Sequence, residues 1–329
     1  MLCIHNNSTE PYFNQAVEEF LLKNKEEDIF MLWQNNNAII VGKHQNTLAE
    51  INLDTVNSKK IKVVRRLTGG GAVFHDMGNL NFTFIMNYGD AQPEIDFKKY
   101  TRPIIDVLFE LGVKAEFSGR NDLLIDGKKF SGNAEHIFHQ KKRVLHHGTL
   151  LFASEIADLS AALKVNPLKF EDKAVKSVRS RVTNISEHLH ETVSVEEFRD
   201  KIMQHISAIY PEARPYSLSQ ADCEAIQKLA NEKYSQWDWN YGYSPKYAFQ
   251  KGIKTLGGHL EVHLDVDKGE IRNIKIYGDF FAKREIEDVE AFLIGKPHRE
   301  SEVLEALRLI RSSDYFNNIS EEELISAFF

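Results

Sequence analysis

Cysteine is scarce in this sequence: the 329 residues include only Cys3 and Cys223. The two lie far apart and form neither a Cys-x-x-Cys pair nor a Cys/His spacing, which excludes a disulfide framework and a zinc cluster. We therefore expect a reducing, cytoplasmic setting. The N-terminus lacks the pattern of a signal peptide, and no stretch reaches the roughly 20 apolar residues of a membrane span, so no membrane partner is expected.

Basic residues are in the minority, with 41 Lys and Arg against 48 Asp and Glu and a formal charge of −7. An extended nucleic-acid surface would shift this balance the other way, so no nucleic-acid partner is expected and any basic site must be local. Hydrophobic residues make up 42% and charged residues 27% of the chain. This composition excludes disorder and collagen, and the length allows about two domains.

Local patterns predict an α+β fold. Apolar residues at helical spacing follow Pro11 as far as residue 23, with Ser8 or Thr9 as candidate N-caps. A second helical pattern opens at Pro103 and closes at Gly112. Short β-prone runs occur at 29–33, 38–41, 62–66, 80–86, 123–125 and 144–152. Together they predict a mixed or largely antiparallel sheet with flanking helices.

The pattern changes in the last third of the chain. A helix is predicted from Ser194 to Tyr210, and an aromatic stretch with Gly and Pro follows at 237–245. Alternating runs at 260–266 and 271–277 then predict strands, with helical segments after them. These changes predict a first domain of residues 1–246 and a small α+β domain of residues 247–329.

Three consecutive glycines, Gly69 to Gly71, follow a β-prone run that ends in Arg65 and Arg66. Glycine lets backbone amides approach a ligand without a Cβ in the way, and guanidinium groups bind phosphate or carboxylate oxygens. The segment matches neither the P-loop nor the dinucleotide fingerprint. It indicates a phosphate-binding loop, and a flexible hairpin with two solvated arginines is the alternative.

A second candidate segment surrounds the hairpin signal Asp126-Gly127. The turn puts Lys128 and Lys129 at the start of the returning strand, where alternation places them on opposite faces. One lysine can be solvated while the other points inward, where an ammonium group needs an anion beside it. Two exposed turn lysines are the alternative.

Two further segments are weaker candidates. The pair His146-His147 lies within the β-prone run at 144–152, and Arg and Val alternate within residues 177–184. A lone imidazole is more often structural than catalytic. The arginine segment, taken alone, is interpreted as an exposed edge strand, with a basic patch as the alternative.

These segments together resemble the lipoate-protein ligase family. Six stretches carry the resemblance in the family's order and spacing: Arg-Arg-Leu-Thr-Gly-Gly-Gly-Ala-Val-Phe-His-Asp at 65–76, Gly-Asn at 78–79, Gly-Arg-Asn-Asp at 119–122, Gly-Lys-Lys-Phe-Ser-Gly-Asn-Ala at 127–134, His-His-Gly-Thr-Leu-Leu at 146–151 and Ser-Val-Arg-Ser-Arg-Val-Thr-Asn at 177–184. The resemblance implies a biotin-ligase-like catalytic domain over residues 1–246 and an accessory domain over residues 247–329.

The family resemblance implies an ATP-dependent reaction in two halves. Lipoate or octanoate attacks the α-phosphate of ATP to give an acyl-adenylate and pyrophosphate, usually with Mg²⁺. The ε-amine of a lysine on a lipoyl-acceptor protein then displaces AMP. The implied acceptors are the glycine-cleavage H protein, acyltransferase subunits of 2-oxoacid dehydrogenases, or both.

The resemblance also assigns residues. Lys129 is the implied catalytic cation, in contact with the lipoate carboxylate and the phosphate. The implied ATP- and adenylate-binding residues are Arg66, Gly71, Ala72, Val73, Phe74 and Lys129. Further residues expected in the pocket are Arg65, Gly69, Gly70, His75, Asn79, Asp122, Gly132, His147 and Thr149.

Other roles are expected around this pocket. Asp122 is the candidate Mg²⁺ ligand together with the phosphates. An apolar tunnel is expected for the acyl chain, with walls from Phe13, Val17 or Phe20. Arg179 and Arg181 are candidates for steering an acidic acceptor. The charges at 141–143 are interpreted as solvated turn residues, with steering as the alternative.

Two other functions are compatible with the fold that the resemblance implies. An acyltransferase that moves octanoyl or lipoyl groups between proteins would need a cysteine nucleophile in the pocket. Neither Cys3, at the extreme N-terminus, nor Cys223, well past the motifs, is placed for that role in the sequence. A non-catalytic lipoate or adenylate sensor would keep the pocket without turnover.

Overall fold

The computed structural model describes residues 1–45, 47–90, 95–156, 162–163, 182–241, 249–267, 270–298 and 300–328. The helices in these ranges are α1 (Pro11–Asn24), α2 (Thr47–Glu50), α3 (Leu53–Ser58), α4 (Phe97–Glu110), α5 (Val195–Ile209), α6 (Gln220–Leu229), α7 (Trp237–Asn240), α8 (Ile286–Leu293), α9 (Glu300–Leu309) and α10 (Glu321–Ser326). The strands are β1 (Leu2–Asn6), β2 (Ile29–Trp33), β3 (Ala38–Val41), β4 (Lys62–Arg65), β5 (Val73–His75), β6 (Asn79–Asn87), β7 (Ala115–Ser118), β8 (Asp122–Ile125), β9 (Lys128–Phe138), β10 (Arg143–Leu151), β11 (Arg214–Pro215), β12 (Phe249–Thr255), β13 (Gly258–Asp267) and β14 (Glu270–Gly278).

The main sheet has eight strands in the order β11-β1-β2-β6-β10-β9-β8-β7. β1 runs parallel to β2 and β11, and the other neighbouring strands are antiparallel. The predicted α+β class with a mixed, largely antiparallel sheet is therefore confirmed.

Two smaller sheets accompany the main sheet. One has the order β4-β3-β5, with β4 parallel and β5 antiparallel to β3. The other is the antiparallel sheet β12-β13-β14 in the last part of the chain. β5 follows directly on the glycine segment, where the sequence pattern alone indicates only a loop.

α1 begins at Pro11, as predicted, because a missing N–H is no loss in the first helical turn. Its N-cap is Glu10, whose carboxylate accepts a hydrogen bond from the Phe13 amide at 2.8 Å. The expectation that Ser8 or Thr9 caps the helix is wrong, because Ser8 Oγ instead accepts from the Glu10 amide.

Pro103 lies inside α4 and not at its start. The helix begins after its N-cap Asp96, whose side chain accepts from the Lys99 amide at 3.1 Å. Proline removes one helical hydrogen bond, so the helix depends on the apolar face that it buries. That face includes Phe97, Tyr100, Ile104, Val107 and Leu108. The expectation that the helix opens at Pro103 is therefore wrong.

Alternate residues of β2 enter different cores on the two faces of the main sheet. Phe30 and Leu32 share a core with Ile104 of α4 and Ile202 of α5. Residues from α1 and the β4-β3-β5 sheet pack on the other face, where Trp33 lies. Within the described ranges, none of the helices has the length and apolar character needed to cross a bilayer.

Candidate active site

Five residues form a row across the main sheet on the α1 side. Trp33 pairs with Asn81, Asn81 with Thr149, and Gly132 with Asp122. The Gly132 amide joins the last pair to the first two by donating to Thr149 Oγ1 at 3.1 Å. Neighbouring strands lie about 4.8 Å apart, so the row is about 19 Å long. All five residues line a cavity of about 360 Å³, which therefore runs across the strands.

The opposite wall of the cavity comes from the small sheet and the glycine loop. Ile40 and Val73 face each other on β3 and β5 and line the cavity together with His75. The loop of residues 70–72 continues this wall, and Gln15 of α1 also lines it. Two sheets and a loop thus enclose the space.

Lys129 enters the cavity from the hairpin between β8 and β9. Asp126 and Gly127 have φ angles of 50° and 74°, the positive pair of a type I′ turn, which confirms the predicted hairpin. Lys128 is exposed, whereas Lys129 lines the cavity and places its Nζ 2.7 Å from Asp122 Oδ1. The predicted separation of the two lysines holds.

A β-bulge sets the direction of Lys129. Lys129 pairs with Leu124 but Ser131 pairs with Leu123, so Phe130 is an extra residue in β9. Phe130 and Ser131 are both buried. Since the bulge shifts the alternation, Lys129 faces the cavity with Gly132, three positions later, and no side chain at 132 blocks the lysine.

Arg66 shapes the glycine loop. Its Nη2 donates to the carbonyls of Gly69 at 2.6 Å and Gly71 at 2.8 Å, and its Nη1 donates to Ile40 O at 3.1 Å. Burial lowers the pKa of Arg66 to about 10. Gly70 between these carbonyls has φ of 90°, and a Cβ there would lie 2.9 Å from Arg66 Nη2. The guanidinium therefore holds the loop from inside.

The loop amides are left available to a ligand. Among the described residues, no acceptor takes a hydrogen bond from the backbone N–H of Gly70, Gly71 or Ala72. The Gly71 carbonyl points to Arg66, so the N–H of Ala72 in the same planar peptide points away from it. Consecutive unpaired amides are a typical anion site.

A chain of hydrogen bonds connects this loop to α1. Arg66 Nε donates to Thr68 Oγ1 at 2.9 Å, and Thr68 Oγ1 lies 2.8 Å from His147 Nε2. His147 Nδ1 lies 2.9 Å from Glu18 Oε1, which also accepts from Thr83 Oγ1 at 2.7 Å. A carboxylate only accepts, so His147 donates from Nδ1. Both ring nitrogens thus have structural partners.

A second histidine supports the cavity from beneath. His146 and Glu135 are fully buried, with His146 Nδ1 2.9 Å from Glu135 Oε1 and His146 Nε2 3.3 Å from Asn133 Oδ1. Burial raises the pKa of Glu135 to about 8 and lowers the pKa of His146. The protonated Glu135 carboxyl group can therefore donate to His146 Nδ1, while His146 Nε2 donates to Asn133 Oδ1. Asn133 in turn lines the cavity.

The last part of the chain closes the cavity at the Asp122 end. Asp279 lines it, and its carbonyl accepts from Arg120 Nη2 at 3.3 Å. The Arg120 guanidinium also lies 4.8 Å from the ring centroid of Phe281. Gly69 packs directly against the Phe280 backbone, which leaves no room for a Cβ. Residues after β14 are thus part of the site.

Carboxylates near the cavity fit a metal that arrives with a nucleotide. Among the described residues, no group of three or more His, Cys, Asp and Glu is placed to hold a metal ion. Mg²⁺ at nucleotide sites commonly uses one or two carboxylates together with phosphate oxygens. Asp122 and Asp279 are the carboxylates of the cavity lining. They suit Mg²⁺ only if phosphate supplies the other ligands.

Most of the residues that the sequence nominates come together here. Those that line the cavity are Arg66, Gly70, Gly71, Ala72, Val73, His75, Asp122, Lys129, Gly132, His147 and Thr149. The structure also adds residues that the sequence reasoning did not nominate: Gln15, Trp33, Ile40, Asn81, Arg120, Asn121, Asn133, Ala134, Gly148 and Asp279. Arg120 and Asn121 stand in the Gly-Arg-Asn-Asp segment, which was a signal for them.

Four nominated residues lie outside the cavity lining. Arg65 is buried and donates to three carbonyls within residues 42–45, so it holds that turn. Phe74 points away from the cavity because its neighbours on β5 point into it, and it packs in a separate core. Gly69 contacts Phe280, and Asn79 Nδ2 donates to Asn81 Oδ1 at 2.9 Å.

The expected acyl-chain walls also lie elsewhere. Val17 is fully buried in the core between α1 and the main sheet, and Phe13 and Phe20 pack against that core. The cavity wall takes its apolar surface instead from Trp33, Ile40, Val73 and Ala134.

The basic residues proposed for steering have different outcomes. Arg143 is fully buried and donates to carbonyls near the end of α1, including Leu21 O at 3.0 Å. Its interpretation as a solvated turn charge is therefore wrong. Lys141 and Lys142 are exposed and pair with Glu26 and Asp90. Arg179 and Arg181 lie outside the described residues.

Comparison with known families gives two matches along the chain. Residues 10–207 match the family model for the lipoyl protein ligase A/B catalytic domain. Residues 244–328 match the model for the bacterial lipoate protein ligase C-terminus. Together the matches cover well over half of the chain.

Similar curated proteins extend over the whole length. Lipoate-protein ligase LplJ of Bacillus subtilis is 43% identical over 334 aligned residues, which cover 100% of each chain. Lipoate–protein ligase 1 of Staphylococcus aureus is 44% identical over 323 residues, which cover 98% of this chain and 97% of that protein.

Solved structures of lipoate ligases are also similar to this chain. The P. falciparum LipL1 structure in complex with lipoate has a TM-score of 0.83 and 26% identity, and covers 99% of this chain and 98% of its own. The bi-partite lipoate protein ligase from Thermoplasma acidophilum has a TM-score of 0.63 and 28% identity, covering 75% and 98%. The chain therefore belongs to the lipoate-protein ligase family, which confirms the resemblance noted in its sequence.

Proposed function

We propose that this protein is an ATP-dependent lipoate-protein ligase, which activates lipoate as lipoyl-AMP and transfers the lipoyl group to a lysine of an acceptor protein. The observation that carries the proposal is that one part of the cavity is lined by groups that bind anions and another part by apolar side chains. Lys129 and the free amides of residues 70–72 provide for anions, while Trp33, Ile40 and Val73 provide apolar walls. A fatty acid with an activated carboxylate needs both environments.

The first half-reaction brings two anions together. A lipoate carboxylate oxygen attacks the α-phosphorus of ATP, the bond to the bridging oxygen breaks, and pyrophosphate leaves with that electron pair. The Lys129 ammonium attracts both the carboxylate and the α-phosphate, which offsets their repulsion. The loop amides hold phosphate oxygens, and Arg66 keeps their geometry fixed.

The second half-reaction needs a protected adenylate. The acceptor ε-amine attacks the lipoyl carbonyl carbon, AMP leaves, and the amine loses a proton. Water would compete for the same carbon, so the site must exclude it until the acceptor arrives. The enclosure by two sheets and by the segment around Asp279 supports this role. Mg²⁺, held by Asp122 and phosphate oxygens, would offset charge on the nucleotide.

The acceptor belongs to the proposal as well. The archaeal neighbour was solved as part of a lipoylation system with its E2 lipoyl domain. We propose acceptors of this kind, namely acyltransferase subunits of 2-oxoacid dehydrogenases, the glycine-cleavage H protein, or both. Octanoate is the proposed alternative acid.

The proposal also includes the cellular location, the division into domains and the residues that steer the acceptor. Two free cysteines and the use of ATP support a cytoplasmic location. The change from the main sheet to the sheet that begins at Phe249 supports a catalytic domain of residues 1–246 and an accessory domain of residues 247–329. Arg179 and Arg181 remain candidates for steering the acceptor.

The cysteines argue against a thioester-based transferase. Cys3 is buried in the core, and burial raises the pKa of its thiol, which disfavours the thiolate. Cys223 lies on α6, outside the cavity lining. No cysteine lines the described cavity, so no thiol is available there to form a thioester with the acyl group.

The decisive measurement is the intact mass of a purified lipoyl domain after incubation with this protein, lipoate and Mg²⁺, with and without ATP. We expect a lipoyl mass increment that depends on ATP. An increment obtained from a pre-acylated donor protein without ATP would show a transferase. Tight lipoate binding without any increment would show a sensor.

A further inference from the structure

Two buried side-chain nitrogens in the cavity wall have no hydrogen-bond partner among the described residues. Gln15 and His75 line the cavity and are only 1% and 3% exposed. Both residues lie near Trp33, because Asn14, next to Gln15, donates to the carbonyl of Gln34, and His75 packs against the Trp33 ring. Neither Gln15 Nε2 nor His75 Nε2 has an acceptor within hydrogen-bond distance among the described residues. Buried polar groups are normally paired, so these two atoms indicate that something in the cavity completes them.

The tautomer of His75 follows from a chain of amides. Asn14 Nδ2 donates to the backbone carbonyls of Ser8 at 2.9 Å and Gln34 at 2.8 Å, which fixes its orientation. The same nitrogen lies 2.8 Å from Asn35 Oδ1, so the other end of Asn35, its Nδ2, faces His75 Nδ1 at 3.1 Å.

His75 Nδ1 must therefore accept, because Asn35 Nδ2 can only donate. The ring proton is then on Nε2, the atom without a protein partner. Burial, together with nearby Arg66 and His147, lowers the pKa of His75 to about 3. The ring thus stays neutral and offers Nε2–H as a donor to the cavity.

The two donors lie at the opposite end of the cavity from Lys129, where the end of the acyl chain remote from the carboxylate would lie. Trp33 packs edge-on against His75 with ring centroids 6.1 Å apart, and it begins the row that ends at Asp122. Lys129 Nζ lies over Gly132, 3.0 Å from where a Cβ of that residue would be, which is about three strand spacings or ~14 Å from Trp33. If the carboxylate lies at Lys129, the far end of the acyl chain points toward Gln15 and His75.

We infer that Gln15 and His75 select the acyl substrate by donating hydrogen bonds to the far end of its chain. The site then prefers an acid whose chain ends in hydrogen-bond acceptors, such as the ring sulfur atoms of lipoate, over a plain alkyl acid such as octanoate. This inference rests on the proposed function and adds the basis of its substrate preference.

The physical reason is the cost of an unpaired donor. Divalent sulfur is a weak acceptor, whereas a terminal methyl group accepts nothing. Octanoate would leave both donors desolvated and unpaired when it fills the cavity. Sites that hydrogen-bond a substrate group discriminate against analogues without that group. Because sulfur accepts weakly, we expect a modest preference of about tenfold in kcat/KM.

The test compares pyrophosphate release with lipoate and with octanoate, at saturating ATP, for four proteins. They are the wild type, Gln15→Met, His75→Phe and the control Gln227→Met. Gln227 is exposed on α6 and forms no part of the cavity, so the control makes the same substitution away from the site. Two site variants are used because His75→Phe leaves Asn35 Nδ2 unpartnered, whereas Gln15→Met creates no such defect.

We expect both site variants to lower the lipoate-to-octanoate ratio of kcat/KM by about fivefold, mainly through better use of octanoate. The control keeps the wild-type ratio. If both acids are activated and the ratio is unchanged in both site variants, the inference is wrong while the proposed function stands. If the wild type releases pyrophosphate with neither acid, the proposed function fails and the inference fails with it. Should His75→Phe not fold, Gln15→Met decides alone.

Discussion

Lys129 Nζ lies 2.7 Å from Asp122 Oδ1, and both side chains keep more than a third of their surface exposed. The two residues stand on adjacent strands at one end of the cavity. The carboxylate therefore holds the ammonium group at the cavity without burying it. A half-exposed ion pair adds little to stability, so its value lies in positioning the charge.

Replacing Lys129 should abolish chemistry without unfolding the protein. We expect Lys129→Ala to lower pyrophosphate release by about 100-fold or more, as when a principal electrostatic group is lost. Thermal unfolding should change little. Lys128→Ala is the matched control, because Lys128 is the exposed neighbour on the same strand. Normal pyrophosphate release by Lys129→Ala would contradict the assignment.

The glycine loop gives a second prediction. Gly70→Ala would put a methyl group 2.9 Å from Arg66 Nη2 at a φ of 90°. The variant should raise the KM for ATP, since the loop must shift its amides to relieve the contact. Gly89→Ala is the control: Gly89 also has a positive φ, but a Cβ there meets nothing within 4 Å.

The comparison between the two glycine variants separates strain from ligand binding. Both should lose about 1 kcal/mol of stability from the positive φ. Only the Gly70 variant should bind ATP more weakly, as measured by titration calorimetry. Equal ATP affinity in both variants would refute the phosphate-cradle interpretation.

Arg143 should matter for stability and not for acceptor recognition. Arg143→Met would remove the guanidinium donor from several carbonyls near the end of α1, among them Leu22 O, Lys25 O and Glu27 O. We expect a loss of roughly 2–5 kcal/mol in the free energy of unfolding by urea. Lys141→Met, which breaks only an exposed pair with Glu26, should leave the free energy of unfolding almost unchanged. Similar losses in the two variants would contradict this role.

Glu135 predicts a pH dependence of stability. Its pKa is raised to about 8 in the folded protein, against about 4.3 in the unfolded chain. Between these values the folded state keeps a proton that the unfolded state releases. The stabilising contribution is therefore complete below about pH 4 and is lost as the pH rises to about 8.

Glu135→Gln removes this titration and keeps a donor for His146 Nδ1. The stability of the variant relative to wild type should therefore increase between about pH 5 and about pH 8, by up to ~1.4 kcal/mol per pH unit. Urea midpoints of both proteins across this range provide the measurement. A difference that does not vary with pH would mean that Glu135 is ionised in the folded protein.

The strands that the sequence predicts best are those that are continuous apolar runs. β2 and β3 agree with the predicted 29–33 and 38–41 at both ends, because turn residues bound each run sharply. β5 was not predicted, because three residues after a glycine segment carry too little pattern to indicate a strand. Its pairing with β3 is a long-range choice that no local signal contains.

The sequence predicts the site residues on loops and turns better than the site residues on the strands that form the cavity walls. The hairpin signal at Asp126-Gly127 is local, so the position of Lys129 after the turn could be foreseen. The extra residue Phe130 could not, because a bulge depends on the packing of both strands. Trp33 and Asn81 enter the site only through the register of β2 and β6, which the sequence does not state.

Neighbouring arginines show the same limit. Arg65 and Arg66 are adjacent in an extended segment, so opposite directions could be expected. Which of them faces the cavity depends on where residues 42–45 and the glycine loop come to lie. Tertiary contacts decide this, and both side chains are buried, contrary to the picture of two solvated charges.

The row from Trp33 to Asp122 makes ligand binding in the cavity depend on the register of five of the eight strands of the main sheet. A slip of one residue in any of its five strands would turn that strand's member of the row to the other face. A ligand that spans the row can therefore bind only a chain in which β2, β6, β10, β9 and β8 are all in register. By mass action, such a ligand raises the melting temperature of these strands together, as one cooperative unit.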